Sequence, residues 1–139
     1  MNDNIDPLPK QFQQFKDLPR HQPVMMLNLV RLRDQAVYTD QRSATGAQAY
    51  QCYGEQSGSI FREVGGEIIW RGKPECVLIG PSDEHWDIAF IAKYPTAGAF
   101  LAMVTNPDYQ AMVYHRQAAV ADSRLLRMGQ AEDGDGFSG

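Results

Sequence analysis

The chain has 139 residues and a mass of 15.6 kDa, which suits one domain of ordinary size. Its composition, 43% hydrophobic and 22% charged, is typical of a globular protein and excludes a membrane protein, a disulfide scaffold, a repeat solenoid and a disordered chain. Thirteen basic and 17 acidic residues give a net charge of −4. This acidic balance argues against a nucleic-acid partner, because such proteins usually carry a basic face.

The N-terminus and the cysteines indicate a cytoplasmic location. The opening residues, MNDNIDPLPK, contain neither the basic nor the apolar region of a secretory signal. The longest apolar stretch, residues 24–30, is far too short to span a bilayer, so no membrane partner is predicted. Cys52 and Cys76 have no cysteine or histidine neighbours at ligand spacing. We therefore expect two free thiols and no metal site.

Helical and extended patterns alternate along the chain. The first helix is predicted at residues 7–18, where the apolar side chains share one stripe. A continuous apolar run then predicts a strand at 24–32, and a polar loop at 33–46 follows that is long enough to form a lid. The later predicted elements are a helix at 46–64, strands at 67–72, 75–80 and 86–94, a helical stretch from 97 to 120 that is broken at Asn106-Pro107, and a strand at 122–128.

The order of these elements predicts an α+β fold. When 67–72 and 75–80 are taken as one bent strand and the extra N-terminal helix is set aside, the order is βαββαβ, the ferredoxin-like arrangement. Its helices cover one face of an antiparallel sheet. The simplest way to cover the other face is with the same sheet of a second copy of the chain, in a homodimer. The predicted organisation is an N-terminal helical extension (1–22), a ferredoxin-like domain (23–128) and a disordered tail (129–139).

Four segments carry a resemblance to a known family: NLVRLR, VGGEIIWRGKPECVLIGP, EHWDIAFIAKYPTAGAFLAMVTNPDYQ and HRQAAVADSRLL. In this order, over about residues 23–128, they resemble the domain-of-unknown-function family numbered 1330. The resemblance implies a dimeric α/β-barrel, in which the sheets of two ferredoxin-like protomers close into a barrel with a small-molecule pocket. Members of that superfamily include cofactor-free monooxygenases, haem-degrading enzymes, lactone isomerases and ligand-binding domains. The family has no settled reaction, so the resemblance assigns no catalytic residue.

Three polar residues are candidate catalytic residues. Asn28 is an amide within an apolar strand, where it either orients a ligand or bonds to neighbouring backbone or a buried water. Arg116 projects from the apolar stripe of the last helix, where it either clamps a carboxylate or enolate or forms a structural ion pair. The acidic residues that could form that pair are Asp87, Asp122 and Glu75. His115 borders the same stripe and is a candidate base or haem ligand, although most histidines at such a boundary are neither.

Three further residues are candidates for substrate binding. Tyr53, at helical spacing, belongs either to the core or to a pocket wall with its hydroxyl at the edge. Trp70 is flanked by charged residues and lines either the barrel or the dimer seam. Arg31, next to the long loop, either attracts an anionic substrate or is a solvated surface charge. Because the chain has no nucleotide, phosphate or metal motif, no cofactor is predicted.

Two functions are compatible with these residues. In the first, the chain is a cofactor-free enzyme, monooxygenase-like or isomerase-like, on a small apolar metabolite with an acidic C–H. His115 is then the base, while Asn28 and Arg116 hold the developing negative charge. Tyr53 and Trp70 shape the pocket. In the second, the homodimer binds a ligand or a partner without catalysis. A haem-processing role would require an axial histidine inside the cavity.

Overall fold

Four antiparallel strands form one sheet, and the helices pack on one of its faces. The computed structural model describes residues 4–134 and 136–137. Its elements in chain order are α1 (Pro9–Asp17), β1 (Val24–Leu32), α2 (Gly46–Glu63), β2 (Glu67–Gly72), β3 (Ile88–Tyr94), α3 (Ala97–Thr105), α4 (Pro107–Met112), α5 (Tyr114–Ala119) and β4 (Val120–Met128). After α1 the order is βαββαβ, with the second helical connection divided into three short helices. The prediction of an α+β protein with an extra N-terminal helix is confirmed.

The strands lie in the order β2-β3-β1-β4, which is the ferredoxin-like topology and confirms that prediction. Alternation along β1 separates two faces. Val24, Met26 and Val30 point to the helices and are each at most 2% exposed, whereas the residues between them are only partly buried. We call this second side of the sheet the open face. From the strand register it carries Met25, Leu27, Leu29, Trp70, Ile91 and Leu126.

Side-chain caps set where the helices begin. The Thr45 hydroxyl accepts a hydrogen bond of 3.0 Å from the backbone N–H of Gln48, and the Gln48 side chain accepts one of 2.9 Å from the Thr45 N–H. This reciprocal pair starts α2. Gly65, with a φ of 86°, follows its last turn, as a helix end often requires. The predicted break at Asn106-Pro107 is also present, because Asn106 caps α4 and Pro107 occupies its first position.

The segment at residues 75–80 is not a strand, and that part of the prediction is wrong. It leaves β2 after Gly72 and pairs with no strand in the described part of the chain. Its apolar side chains point into solvent, with Leu78 89% and Ile79 93% exposed. The physical reason is the lack of a partner. The segment does not pair with the open outer edge of β2, and local β propensity alone does not hold a strand in water.

The N-terminal extension contacts both the edge of the sheet and the helices. Asn4 donates hydrogen bonds to the Asp122 carboxylate from its backbone N–H, at 3.2 Å, and from its side-chain amide, at 3.0 Å. Further along, the Phe15 ring of α1 lies 5.0 Å from the Phe100 ring. The extension is therefore tied to the domain at two places.

The predicted disordered tail falls partly on residues that the structure describes. Residues 129–134 and 136–137 form neither helix nor strand and are exposed, while residues 135 and 138–139 lie outside the described residues, as do residues 1–3. The domain boundaries stay predictions. Within the described ranges, every helix is too short or too polar to cross a membrane.

Candidate functional site

A cleft lies between the helix-facing side of the sheet and α2, with the N-terminal segment as its outer wall. Its volume is about 2330 Å³. This is larger than the roughly 300–1,000 Å³ of a typical small-molecule pocket, so a ligand would fill only part of it. The buried and half-buried side chains that line it include Asn28, Tyr50, Tyr53, Phe90, Tyr109 and Arg116. Three of the predicted site residues, Asn28, Arg116 and Tyr53, therefore line one space.

Asn28 lies on the floor of the cleft. Its strand neighbours are Phe90 on β3 and Leu125 on β4, and all three point toward the helices. The Asn28 amide nitrogen donates a 3.1 Å hydrogen bond to the backbone oxygen of Met26. This bond to neighbouring backbone is the structural alternative that the sequence left open, and it fixes the orientation of the amide at the floor.

Arg116 projects from α5 into the cleft, and only neutral groups hold its guanidinium. It donates hydrogen bonds to the backbone oxygen of Ile5 and, at 3.2 Å, to the Ser123 hydroxyl. No ion pair among the described residues includes it. Two of the three expected structural partners are engaged elsewhere: the Asp122 carboxylate contacts Arg124 at 2.9 Å, and the Asp87 carboxylate accepts a hydrogen bond from a backbone N–H of β1. The third, Glu75, is exposed and forms no ion pair with Arg116.

Tyrosine hydroxyls surround the same space. The Tyr53 and Tyr109 hydroxyls are 2.8 Å apart, and the Tyr50 ring lies 5.5 Å from the Tyr53 ring. Burial raises the pKa of Tyr50 and Tyr109 well above the usual value for a phenol. Both phenols therefore stay protonated at neutral pH, so each has a hydrogen to donate.

His115 is adjacent to Arg116 in sequence but does not line the cleft. Its side chain is 3% exposed, and its Nδ1 lies 2.7 Å from the hydroxyl of Tyr38 in the loop at 33–46. Its Nε2 is buried with no hydrogen-bond partner in the described residues. The loop is thus anchored on α5 through a Tyr38–His115 contact, and it does not reach the cleft as a lid.

Stability should fall as the pH drops below neutrality, because of His115. Burial, with a contribution from Arg42, lowers the pKa of His115 from its ordinary 6.5. The unfolded chain then takes up this proton at a higher pH than the folded chain does, so the stabilisation is complete above pH 6.5 and is lost as the pH falls from there. Urea unfolding at pH 7.5, 6.5 and 5.5 should show this slope in the parent chain, and His115→Asn should lack it.

The exposed His85 supplies the control for this titration. We expect His85→Gln to keep the slope of the parent chain. A slope that is unchanged in His115→Asn would show that another group titrates in this pH range.

Trp70 and Arg31 lie on the open face, away from the cleft. Trp70 is 56% exposed and stands beside Ile91 of β3. Arg31 lies opposite Asp122 across the β1–β4 pair. The structure therefore does not bring these two residues, or His115, together with Asn28 and Arg116. Instead it adds Tyr50, an aromatic candidate beside Tyr53 on the same predicted helix, and also Tyr109 and Phe90, whose only signal in the sequence was an aromatic position on a predicted helix or strand.

The fold and the cleft together define a ferredoxin-like α+β protein with a large cleft between sheet and helices. The chain belongs to the family described as domain of unknown function (DUF1330), whose model matches residues 38–129, and this confirms the resemblance seen in the sequence.

Solved structures show the same fold. The RPA0582 protein of unknown function from Rhodopseudomonas palustris is 49% identical over 95% of this chain and 100% of that chain, with a TM-score of 0.90. The methylated RPA0582 protein is 50% identical over 97% and 100%, with a TM-score of 0.93. An uncharacterised NIPSNAP-like domain protein from Burkholderia xenovorans is 17% identical over 84% and 92%, with a TM-score of 0.50, and shows the fold alone. No curated protein matches the chain.

Proposed function

We propose that this protein binds a small organic anion with an apolar body, and that the anion docks on Arg116 inside the cleft. The observation that carries the proposal is the half-buried guanidinium of Arg116, which meets a carbonyl and a hydroxyl but no carboxylate among the described residues. Guanidinium groups bind carboxylates through two parallel hydrogen bonds, and such bonds strengthen where water is excluded.

The groups around Arg116 favour the same class of ligand. The protonated phenols of Tyr50 and Tyr109 offer hydrogens to acceptor oxygens, and Phe90 supplies an apolar floor for the rest of the ligand. A carboxylate or enolate attached to an aromatic or aliphatic body matches this combination of donors at one end and apolar surface beside them.

Binding is better supported than catalysis. An isomerase-like or monooxygenase-like reaction on an acidic C–H needs a proton acceptor next to the ligand. His115, the predicted base, lies outside the cleft, where its Nδ1 contacts Tyr38. The carboxylates that line the cleft, Asp6, Glu55 and Glu67, are exposed at its rim. The ligand-binding alternative is therefore the one that we propose.

We also propose that a second copy of the chain covers the open face. That face carries apolar side chains left in solvent, with Trp70 56% and Leu126 46% exposed, and the flanking Ile69 is 45% exposed. Contiguous apolar patches of this kind usually mark an interface. Packing the two open faces about a two-fold axis buries the same side chains from each copy, as a self-complementary interface requires.

The anion proposal is tested with cinnamate and its neutral isostere, cinnamamide, by titration calorimetry. The parent chain should bind cinnamate about 10-fold to 100-fold more tightly than cinnamamide, because hydrogen bonds to a charged group contribute about 1.5–3 kcal/mol. Arg116→Gln should remove this preference. The charge-matched control Lys10→Gln, on the exposed surface of α1, should keep it.

Two results would contradict the proposal. One is a parent chain that binds neither compound at millimolar concentration. The other is an Arg116→Gln variant that still prefers cinnamate by the same factor, since the charge that selects the anion would then lie elsewhere.

A further inference from the structure

We propose that the ligand of the cleft is a dianion, and that Arg71 of β2 receives its second anionic group; this inference rests on the proposed function. Arg71 lies on the helix-facing side of the sheet, in register with Phe90 of β3, and lines the same cleft as Arg116. None of the ion pairs among residues 4–134 and 136–137 includes Arg71. Two arginines without a carboxylate partner thus border one space.

The strand register places these two charges at opposite sides of the cleft. A row of residues at one level crosses all four strands: Leu125, Asn28, Phe90 and Arg71. The guanidinium of Arg116 lies over the other edge strand, because it donates a hydrogen bond to Ser123 of β4. β4 and β2 are three strand spacings apart, and at about 4.8 Å for each spacing their backbones are about 14 Å apart. Arginine side chains are long, so the two guanidinium groups can lie closer to each other than the two strands do.

Rings form most of the surface between the two arginines, with the Asn28 amide beside them. Phe90 forms the floor next to Arg71, and the Tyr50 and Tyr53 rings of α2 stand on the opposite wall. The positive charges of both Arg116 and Arg71 act on the Tyr50 hydroxyl, against the effect of burial on its pKa. Both guanidiniums therefore lie close enough to the same phenol for their charges to act on it.

The charge balance of the cleft also favours a dianion. The protein as a whole carries a net charge of −4, yet five arginines line the cleft against three carboxylates, and four of these arginines enter no ion pair among the described residues. A local excess of positive charge in an acidic protein concentrates anions at that place. The arginines are Arg62, Arg71, Arg116, Arg124 and Arg127, and the carboxylates are Asp6, Glu55 and Glu67.

Arg116 and Arg71 differ from two of the other arginines in how they are held. Arg124 is paired with Asp122 and Glu84, and Arg127 donates to the backbone oxygens of Phe15 and Pro19 at the base of the extension. Arg62 likewise enters no ion pair among the described residues, but it lies on α2, whereas Arg71 lies on the sheet in register with Phe90. The geometry therefore assigns one carboxylate of the ligand to Arg116 and the other to Arg71. The ligand class is a dicarboxylate whose linker is apolar.

The test compares suberate with octanoate, which have the same chain length but carry two carboxylates and one. The parent chain should bind suberate about 10-fold more tightly, the usual effect of one further charged hydrogen-bonding group. Arg71→Gln should lower the affinity for suberate to that for octanoate and leave octanoate binding unchanged. The control is Lys73→Gln, two residues further along and outside the cleft, which should keep the preference.

The outcomes separate this inference from the proposed function. If octanoate binds and needs Arg116 but suberate is no tighter, the dianion inference is wrong and the anion site stands. If Arg71→Gln weakens the binding of both ligands equally, the positive charge of Arg71 attracts any anion from a distance and does not bind the second carboxylate. The inference is then again wrong. If neither ligand binds, the proposed function and the inference fail together.

Discussion

Leu126→Glu is expected to make the chain monomeric at concentrations at which the parent chain is a dimer. Leu126 lies on the open face of β4, opposite Leu27 of β1, within the surface that two copies would bury. Because its side chain is 46% exposed in the single chain, the substitution leaves the protomer core intact. In the dimer, however, it would bury a carboxylate without a partner, which costs several kcal/mol. Light scattering coupled to size-exclusion chromatography measures the mass directly.

The control for this variant is Leu18→Glu. Leu18 has a closely similar exposure, 43%, but lies just after α1, away from the open face. It should leave the mass of the parent chain unchanged. A parent chain that is monomeric at micromolar concentration, or a Leu126→Glu variant that stays dimeric, would contradict the proposal that a second copy covers this face.

Gly46→Ala is expected to destabilise the fold by about 3 kcal/mol, the upper end of the usual cost of overpacking. Gly46 is the first residue of α2 and is buried against the end of the preceding strand. A Cβ at this position would lie far inside van der Waals contact of the Arg33 carbonyl oxygen, which is backbone and has little room to move. The start of α2 would have to shift, and with it the wall of the cleft. Thermal unfolding should show a drop of roughly 10 °C.

A second glycine of the same helix supplies the matched control. A Cβ added at Gly54 would meet nothing within 4 Å. Gly54→Ala should therefore stabilise the chain by about 0.5–1 kcal/mol, because alanine is the better helix former. Equal effects of the two substitutions would show that the close approach at Gly46 does not constrain the fold.

The elements were predictable from the sequence where their signals are local. The break at Asn106-Pro107 needs only a capping side chain and a proline, and both act within one turn. The strand at 24–32 needs only a continuous apolar run, and the structure has β1 over the same residues. Local signals of this kind were sufficient to order the elements and hence to predict the fold.

The segment at 75–80 shows why local signals are not enough for every strand. Its pattern favours a strand, but a strand requires a neighbour that pairs with it, and none of the four described strands pairs with this segment, although β2 and β4 each keep one open edge. The pattern of a single segment cannot show whether such a neighbour exists, because that depends on the arrangement of the whole sheet.

The candidate site was harder to predict because neighbouring residues of one helix face different ways. His115 and Arg116 are adjacent in sequence, yet a helix turns by about 100° for each residue. One side chain therefore enters the contact with Tyr38, and the other enters the cleft. The helix also ends at Met112 and begins again at Tyr114, with Val113 between the two segments. The apolar side of α4 therefore cannot simply be extended along the sequence to find the apolar side of α5.

We expect an organic anion to bind directly to the guanidinium of Arg116. The most direct measurement is a set of ¹⁵N–¹H spectra of the arginine side chains during a titration with cinnamate. The Arg116 Nε signal is identified by its absence in Arg116→Gln. We predict that this signal shifts and saturates with the dissociation constant found by calorimetry. A signal that stays in place while cinnamate binds, or that drifts linearly together with those of exposed arginines, would contradict the claim.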